Sequence, residues 1–278
     1  MKKQIARGMV IMLGILAMLT GCTREEIPEY HGETEYFQYA YVWGEGSTGA
    51  ALINVPDKQC YAGIGELTEL GKEQKEIVIP KTIGGKPVKY LGYYIMTWYY
   101  PKNKGFQSDN LEKIYIHNKI QGLGVWSEFS FIGCPKLNTI ILNSIYGIEI
   151  SNTTKVFPTQ TKIYIPSLYQ EVYKNGIDTK RYIDIILPAN ISYHLNYEGA
   201  ENGGYWWIDN LEGESQLKAP EEPTREGYEF GGWYKETECV TEWNFEEDRT
   251  ATEEYDEEGN VIFRETELYA KWLPKDAE

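Results

Sequence analysis

Four short segments of the chain place apolar side chains at every second position, which is the period of a β-strand. They are residues 76–80, 113–117, 139–143 and 162–166. The paired side chains are Ile77 with Ile79, Ile114 with Ile116, Ile140 with Leu142, and Ile163 with Ile165. Because alternate side chains of a strand point to one face, each pair is predicted to face the same side. The pattern therefore predicts four strands that stack their apolar faces in a common core.

The spacing of these strands predicts a repeat architecture. From Ile77 the next three strands follow at intervals of 37, 26 and 23 residues, within the range typical of solenoids. Leu111 and Leu137 precede two of the strands and add further inward positions. A single repeat cannot bury its apolar edge alone, so neighbouring repeats must stack. We expect a short, irregular solenoid with insertions between its coils.

Two stretches of this region resemble the BspA-type leucine-rich repeats of bacterial surface proteins. Residues 77–88 read I-V-I-P-K-T-I-G-G-K-P-V, and residues 131–137 read F-I-G-C-P-K-L. The resemblance covers residues 36–188. It implies that Cys134 packs inside as a small apolar thiol, and that residues 163–173 form a closing unit whose short helix caps the solenoid.

An aromatic insertion departs from that family pattern at residues 93–106. It supplies Tyr94, Trp98, Tyr99 and Tyr100, with Trp126 near them in the repeat order. Aromatic side chains of this kind dominate protein and sugar binding surfaces, so these five are the candidate ligand-binding residues. The alternative is that they fill a small core of the insertion's own.

The chain changes character after residue 188. Residues 190–197 alternate as an exposed strand would. Residues 219–234 read A-P-E-E-P-T-R-E-G-Y-E-F-G-G-W-Y and residues 267–272 read E-L-Y-A-K-W. These runs resemble the Listeria-Bacteroides repeat, the B-repeat module of internalins and other bacterial surface proteins. The resemblance implies a small β-grasp module that acts as a spacer or weak binding unit, with Trp233 and Trp272 in its core.

An acidic stretch at residues 246–260 departs from the module's pattern and is either a loop or an extended hairpin. The expected fold class is thus β-rich, of the α+β type, with a solenoid followed by a β-grasp-like module. The expected parts are a signal at 1–21, a tether at 22–35, the repeat domain at 36–188, the module at 189–273 and a tail at 274–278.

The first 22 residues are typical of an export signal. Lys2, Lys3 and Arg7 precede an uncharged run of 12 residues, 8–19, which is shorter than the roughly 20 needed to span a bilayer. Residues 19–22 read L-T-G-C and resemble the lipobox of bacterial lipoproteins, which implies a lipid on Cys22. The expected location is the outer face of the cytoplasmic membrane or the cell surface. An ordinary secretory signal is the alternative.

Charge is concentrated in the C-terminal part. Residues 22–188 hold 18 acidic and 17 basic side chains, whereas residues 189–272 hold 22 acidic and 6 basic ones. This balance excludes binding to nucleic-acid backbones, whose affinity depends on Lys and Arg. The cluster of carboxylates at 253–258 lacks the spacing of an EF-hand calcium loop and is typical of a solvated turn.

No motif for catalysis, a cofactor or a metal is present. After Cys22 the odd number of cysteines gives no disulfide framework, and the pairing of Cys60 and Cys239 stays open. The sequence therefore predicts a non-catalytic, lipid-anchored surface protein whose repeat scaffold binds a protein or a glycan. The alternatives are a cell-wall or carbohydrate-active enzyme and a purely structural stalk. The sequence does not set the oligomeric state.

Overall fold

The computed structural model describes residues 31–43, 60–92, 105–123, 129–150, 155–175 and 184–275. The protein is rich in β-strands and has few helices. Its first strands are β1 (His31–Glu33), β2 (Phe37–Trp43), β3 (Cys60–Leu67), β4 (Glu76–Val78), β5 (Thr82–Ile83), β6 (Lys86–Leu91), β7 (Lys113–Ile116), β8 (Gly122–Leu123), β9 (Thr139–Leu142), β10 (Glu149–Ile150), β11 (Lys162–Ile165) and β12 (Ile186–Pro188). The strands that follow are β13 (Ile191–His194), β14 (Tyr205–Asp209), β15 (Tyr228–Tyr234), β16 (Glu254–Tyr255), β17 (Val261–Ile262) and β18 (Thr266–Pro274).

The four predicted strands are confirmed, and they form one parallel sheet. Its order is β12-β11-β9-β7-β4, and we call it the ladder sheet. In-register pairing places Ile77, Ile114, Ile140 and Ile163 in one row. All eight side chains predicted to face inward are buried, as are Leu111 and Leu137. Each such burial contributes roughly 1.5–3 kcal/mol, so this stack is the main apolar support of the region.

A second sheet covers the other side of this core. Its order is β1-β2-β3-β6-β8-β10, with β5 paired to β6. The strands β3, β6, β8 and β10 run parallel to one another. Strand β2 lies antiparallel to both of its neighbours, β1 and β3. Four phenylalanines pack ring against ring within the core, at Phe106, Phe129, Phe131 and Phe157. We call residues 31–188, so far as the structure describes them, the ladder domain.

Two short helices belong to the ladder domain. Helix α1 (Glu69–Glu73) begins where the Thr68 hydroxyl accepts a hydrogen bond from the Gly71 backbone N–H at 3.1 Å. The predicted short helix near residue 170 is confirmed as α2 (Gln170–Asn175), which follows a 3-10 turn at Ser167–Tyr169. The buried Tyr173 anchors α2, since its hydroxyl donates to the Ser144 carbonyl at 2.9 Å. No helix of the described residues is long and apolar enough to cross a membrane.

Cys134 is buried, as the sequence predicted. Its backbone N–H donates to the Phe131 carbonyl at 2.9 Å within a tight turn, and the thiol is free. Burial raises the pKa of this thiol to about 12. Cys239 is also a free cysteine, whereas the side chain of Cys60 lies outside the described part of the structure.

The C-terminal module, residues 189–274, has its own mixed sheet. The strand order is β14-β13-β18-β15, with the two central strands parallel and each outer strand antiparallel to its neighbour. Leu268, Ala270 and Trp272 share one face of β18 and pack with the buried Trp233, so the two predicted core tryptophans belong to one cluster. Trp272 is partly buried, and its Nε1 donates to the Leu195 carbonyl at 2.6 Å.

The prediction that residues 190–197 form an exposed strand is wrong. Strand β13 is central in the module sheet, and Ile191, Ser192 and Tyr193 are all buried. Ser192, a polar position of the alternation, is buried as well. Its hydroxyl donates a hydrogen bond to the carboxylate of Glu265, which satisfies it inside the protein. Both faces of β13 are therefore buried, and the alternation reflects an apolar environment on one face and a polar one on the other.

The connection between the two sheets consists of Ala189 and Asn190. The backbone N–H of Ala189 donates to the Ile165 carbonyl of β11 at 2.8 Å. The carbonyl of Asn190 accepts from the Thr266 N–H of β18 at 2.8 Å, and its side chain donates to the Leu211 carbonyl at 2.7 Å. Each residue of the connection is thus bonded into one of the sheets it joins.

Candidate functional site

The residues that the sequence predicted to carry function lie outside the described residues. They are the aromatic candidates Tyr94, Trp98, Tyr99, Tyr100 and Trp126, and the predicted lipidation site Cys22. Their roles stay predictions. Within the described residues, a cavity and a set of buried polar contacts lie where the module packs against the ladder sheet. We call this interface the junction.

The junction covers an apolar row on the outward face of the ladder sheet. In-register pairing lines up Val78, Tyr115, Ile141 and Tyr164 across four strands. Parallel sheets have both faces covered, and this row is the apolar surface that such a covering layer needs. The module supplies that layer, because Ile141 is buried together with Tyr205 and Ile208 of the module. Three residues of the row, Tyr115, Ile141 and Tyr164, take part in this cluster.

Strand β14 makes the central contacts of the junction. The ring of Trp207 stacks on that of Tyr115, with 4.8 Å between centroids and 28° between planes. Two residues farther along β14, the Asp209 carboxylate lies 2.5 Å from the Lys113 Nζ and accepts a hydrogen bond from the Tyr115 hydroxyl at 3.0 Å. The Asn210 backbone N–H donates to the same carboxylate at 2.7 Å. The mostly buried Asp209 carboxylate therefore accepts hydrogen bonds from three donors.

The environment keeps the Tyr115 phenol protonated. Burial, followed by the negative charge of Asp209, raises the pKa of Tyr115 well above its usual value. The hydroxyl consequently remains a donor at any physiological pH. The Lys113 Nζ also lies 4.7 Å from the centre of the Tyr115 ring, which is within the range of a cation–π contact.

An asparagine pair forms a second contact across the junction. Asn202 is buried and has a left-handed backbone with φ of 52°, a conformation that asparagine adopts more readily than most residues. Its side chain donates to the Asn143 Oδ1 at 3.0 Å and accepts from the Ile145 N–H at 3.0 Å. The Asn143 Nδ2 in turn donates to the Trp206 carbonyl at 2.8 Å.

The turn that carries Asn202 also approaches the ladder domain closely. A Cβ added at Gly203, whose φ is 61°, would lie 2.7 Å from the Tyr169 hydroxyl. Only a glycine satisfies both the backbone angle and this approach without displacement of a neighbour. The junction therefore depends on this position as well as on its polar contacts.

A third contact lies at the other end of the module sheet. The Ser167 hydroxyl of the ladder domain donates to Glu265 at 2.6 Å, and the Ser192 hydroxyl of β13 donates to the other oxygen of the same carboxylate. Burial raises the pKa of Glu265, and the two hydroxyl donors oppose that shift. Glu265 thereby joins the 3-10 turn of the ladder domain to the centre of the module sheet.

A small cleft opens between the two domains beside these contacts, with a cavity volume of about 30 Å³. Its lining residues are Lys81, Tyr115, His117, Asn118, Ile141, Asn143, Glu201, Tyr205, Trp206, Trp207 and Ile208. The Lys81 Nζ lies 3.7 Å from the centre of the Trp206 ring, and burial lowers the pKa of this amine. This volume holds about one or two water molecules beside the aromatic side chains.

His117 is held neutral at the edge of this cleft. Its Nε2 lies 3.0 Å from the Pro80 carbonyl, and its Nδ1 accepts from the Lys119 backbone N–H at 3.0 Å, an arrangement that assigns the proton to Nε2. Burial, reinforced by the charges of Lys81 and Lys119, lowers the pKa of His117 to about 4. Both ring nitrogens are thus engaged in structure and neither faces a substrate.

The cleft is lined by aromatic side chains together with a lysine, a histidine, a glutamate and two asparagines. Among the described residues that line it there is no serine, threonine or cysteine to act as a nucleophile. The part of the chain that the structure describes also contains no group of three or more His, Cys, Asp or Glu side chains that could hold a metal ion.

The comparison with protein families concerns the module. Residues 191–255 match the family model of the Listeria-Bacteroides repeat domain. No curated protein matches the chain. The matched segment begins at the first residue of β13 and ends at the last residue of β16. The matched segment therefore supplies Asn202, Trp207 and Asp209, the module's main contacts at the junction.

The junction residues were missed by reasoning from sequence. Lys113 and Asp209 are separated by 96 positions, and neither stands in a motif. A signal was nevertheless present in the strands of the ladder sheet. Their outward positions hold Tyr115, Ile141 and Tyr164, where a sheet with one face in water would carry polar side chains. That second apolar row indicated a second packing partner, which is the C-terminal module.

Proposed function

We propose that this protein is a non-catalytic, lipid-anchored cell-surface protein whose ladder domain is a BspA-type leucine-rich repeat scaffold for a protein or glycan ligand. The observation that carries the proposal is the match of residues 191–255 to the Listeria-Bacteroides repeat domain. The resemblance of this repeat to modules of bacterial surface proteins supports a location at the cell surface.

The repeat assignment of the ladder domain is supported by its rows. Ile77, Ile114, Ile140 and Ile163 occupy equivalent positions of successive parallel strands. The leucines before two of the strands are buried, in line with the inward positions that their matching leader segments predict. Parallel strands joined by excursions to a second sheet are the arrangement that stacked repeats produce.

The β-grasp assignment of the module is supported by its topology. The first and last strands of its sheet, β13 and β18, run parallel at the centre, and β14 and β15 flank them. The module uses this sheet to hold a core of Trp233 and Leu268 on one face and to meet the ladder domain on the other.

The anchor can be tested with a palmitate analogue fed to cells that express the full chain. We expect label on the wild type and none on Cys22→Ala, which should also leave the membrane fraction. Cys239→Ser is the matched control, because Cys239 is a partly exposed free thiol outside the lipobox and its loss should leave labelling unchanged. An unlabelled wild type, or Cys22→Ala that still partitions with membranes, would remove the anchor from the proposal.

The ligand can be sought on an array of glycans and host proteins probed with residues 25–278. We expect saturable binding that Trp98→Ala weakens, because aromatic side chains carry much of the energy of such surfaces. Tyr146→Ala is the control, since Tyr146 is an exposed aromatic residue of the ladder domain outside the insertion. Equal loss in both variants would place binding elsewhere. Turnover of a glycan or peptidoglycan that a single carboxylate substitution abolishes would show an enzyme instead.

A further inference from the structure

The acidic stretch of the module forms a projecting β-hairpin. Strands β16 and β17 pair with each other in an antiparallel ribbon and, among the described strands, with no others. Every residue from 251 to 264 is exposed. We call residues 251–264 the arm. A two-stranded ribbon is at best marginally stable in water alone, so an apolar face on it is a surface that benefits from a partner.

One face of the arm is apolar. The register pairs Tyr255 with Val261, and Phe263 follows two positions later on the same face. These three side chains are 47–61% exposed. The opposite face pairs Glu254 with the partly exposed Ile262, and Glu254 also forms a salt bridge with Arg264. Tyrosine and phenylalanine are enriched in the centres of protein interfaces, and here they lie together with their apolar surfaces open to solvent.

The turn of the arm is already ordered. The Asp256 carboxylate accepts hydrogen bonds from the Glu258 N–H at 3.0 Å, the Asn260 N–H at 2.7 Å and the Asn260 side chain at 2.9 Å. Gly259 supplies the left-handed backbone of the turn with φ of 83°. A partner that binds this ribbon therefore does not bear the full entropy cost of ordering it.

Charge determines which partner fits the arm. Residues 251–264 contain five carboxylates and one arginine, and the whole chain has a net charge of -15. Repulsion between like charges disfavours a second copy of this chain, and it favours a partner with basic groups. Each strand of the ribbon also has a free edge among the described residues, which can accept one more strand.

We propose that the arm binds an extended protein segment in which apolar side chains alternate with Lys or Arg. The apolar side chains cover Tyr255, Val261 and Phe263, the basic ones meet the acidic turn, and backbone hydrogen bonds extend the ribbon by a strand. This role is separate from the ligand of the ladder domain, so either can fail without the other.

The test uses the full chain in a non-ionic detergent and a fluorescent ten-residue peptide that alternates Lys with Val and Phe. Fluorescence anisotropy should show saturable binding that weakens at least tenfold in the double variant Val261→Thr/Phe263→Thr, as expected when two apolar anchors are removed. Val240→Thr is the matched control, because Val240 is 79% exposed on the same module outside the arm, and its affinity should stay within twofold of wild type.

Several results would overturn the proposal. The first is that the wild type does not bind the peptide. The second is that the double variant binds it with an affinity within twofold of the wild type. The third is that Val240→Thr weakens binding as much as the double variant does. Equal affinity for a peptide that alternates Lys with Ser would show attraction by charge alone. Sedimentation that shows a dimer of the wild type and a monomer of the double variant would make a second copy the occupant. Matching urea midpoints of the variants would confirm that all fold, since the changed side chains are exposed.

Discussion

Replacement of Asp209 by alanine tests whether the junction holds the two domains together. The Lys113 and Asp209 side chains are only 11% and 14% exposed. Removal of one partner of a buried ion pair costs roughly 3–5 kcal/mol, because the other charge is left without compensation. Here the lysine keeps some exposure and the Tyr115 ring at 4.7 Å, so we expect a loss of about 3 kcal/mol in the free energy of unfolding.

Urea unfolding followed by tryptophan fluorescence measures this loss, since Trp207 stacks at the site. In a thermal melt the same loss lowers the Tm by roughly 6–12 °C for a chain of this size. Glu201→Gln is the control, because the Lys119–Glu201 pair also crosses the junction but is 47% exposed on both sides. Exposed pairs contribute roughly 0–1 kcal/mol, so the control should unfold close to wild type.

Two results would refute this reasoning. One is an Asp209→Ala protein whose unfolding free energy lies within about 1 kcal/mol of wild type and matches that of Glu201→Gln. The other comes from the double-mutant cycle with Lys113→Ala. Contacting residues show interaction energies of roughly 0.5–3 kcal/mol, and two variants whose losses simply add would show that the pair is not coupled.

Three further predictions concern individual residues. Gly203→Ala should destabilise the protein by about 1–2 kcal/mol more than Gly199→Ala in urea titrations, because both have positive φ but only the first meets a neighbour; equal losses would contradict the close approach. The pKa of His117 is about 4 in the folded protein, against roughly 6.5 unfolded. Neutral His117 therefore adds up to about 3 kcal/mol to the free energy of unfolding above pH 6.5, and this contribution is lost as the pH falls towards 4. Between pH 7 and pH 4.5 the urea midpoint should fall less in His117→Gln than in wild type. Equal falls in the two proteins would contradict this prediction. Finally, iodoacetamide at pH 8 should modify Cys239 in the native protein, and Cys134 only after unfolding, as read by peptide mass spectrometry; native labelling of Cys134 would show that its site is open.

The parts of the fold that could be predicted from sequence are those with a local pattern. Strands β7 and β11 both read K-I-Y-I, and the two isoleucines of each fixed the buried face because the period of a strand is two residues. By contrast, β8 and β10 consist of two residues each, which is too short for any period to register. The second sheet therefore had no signature of its own.

The junction was beyond local patterns for a different reason. The contact between Lys113 and Asp209 joins two separate domains, and nothing near either residue indicates the other. The exposed-strand prediction failed for the same cause, since Ser192 and its neighbours look solvent-facing until Glu265 and the ladder domain are in place. The candidate aromatics, from Tyr94 to Trp126, remain predictions.

The two-residue connection between the domains has a mechanical consequence. Ala189 is bonded into the ladder sheet and Asn190 into the module sheet, so the joint has no slack backbone about which the module can swing. Reorientation of the module on the ladder domain therefore requires the Trp207–Tyr115 stack and the Asp209–Lys113 pair to separate. The free energy of these contacts sets how often the two domains move apart.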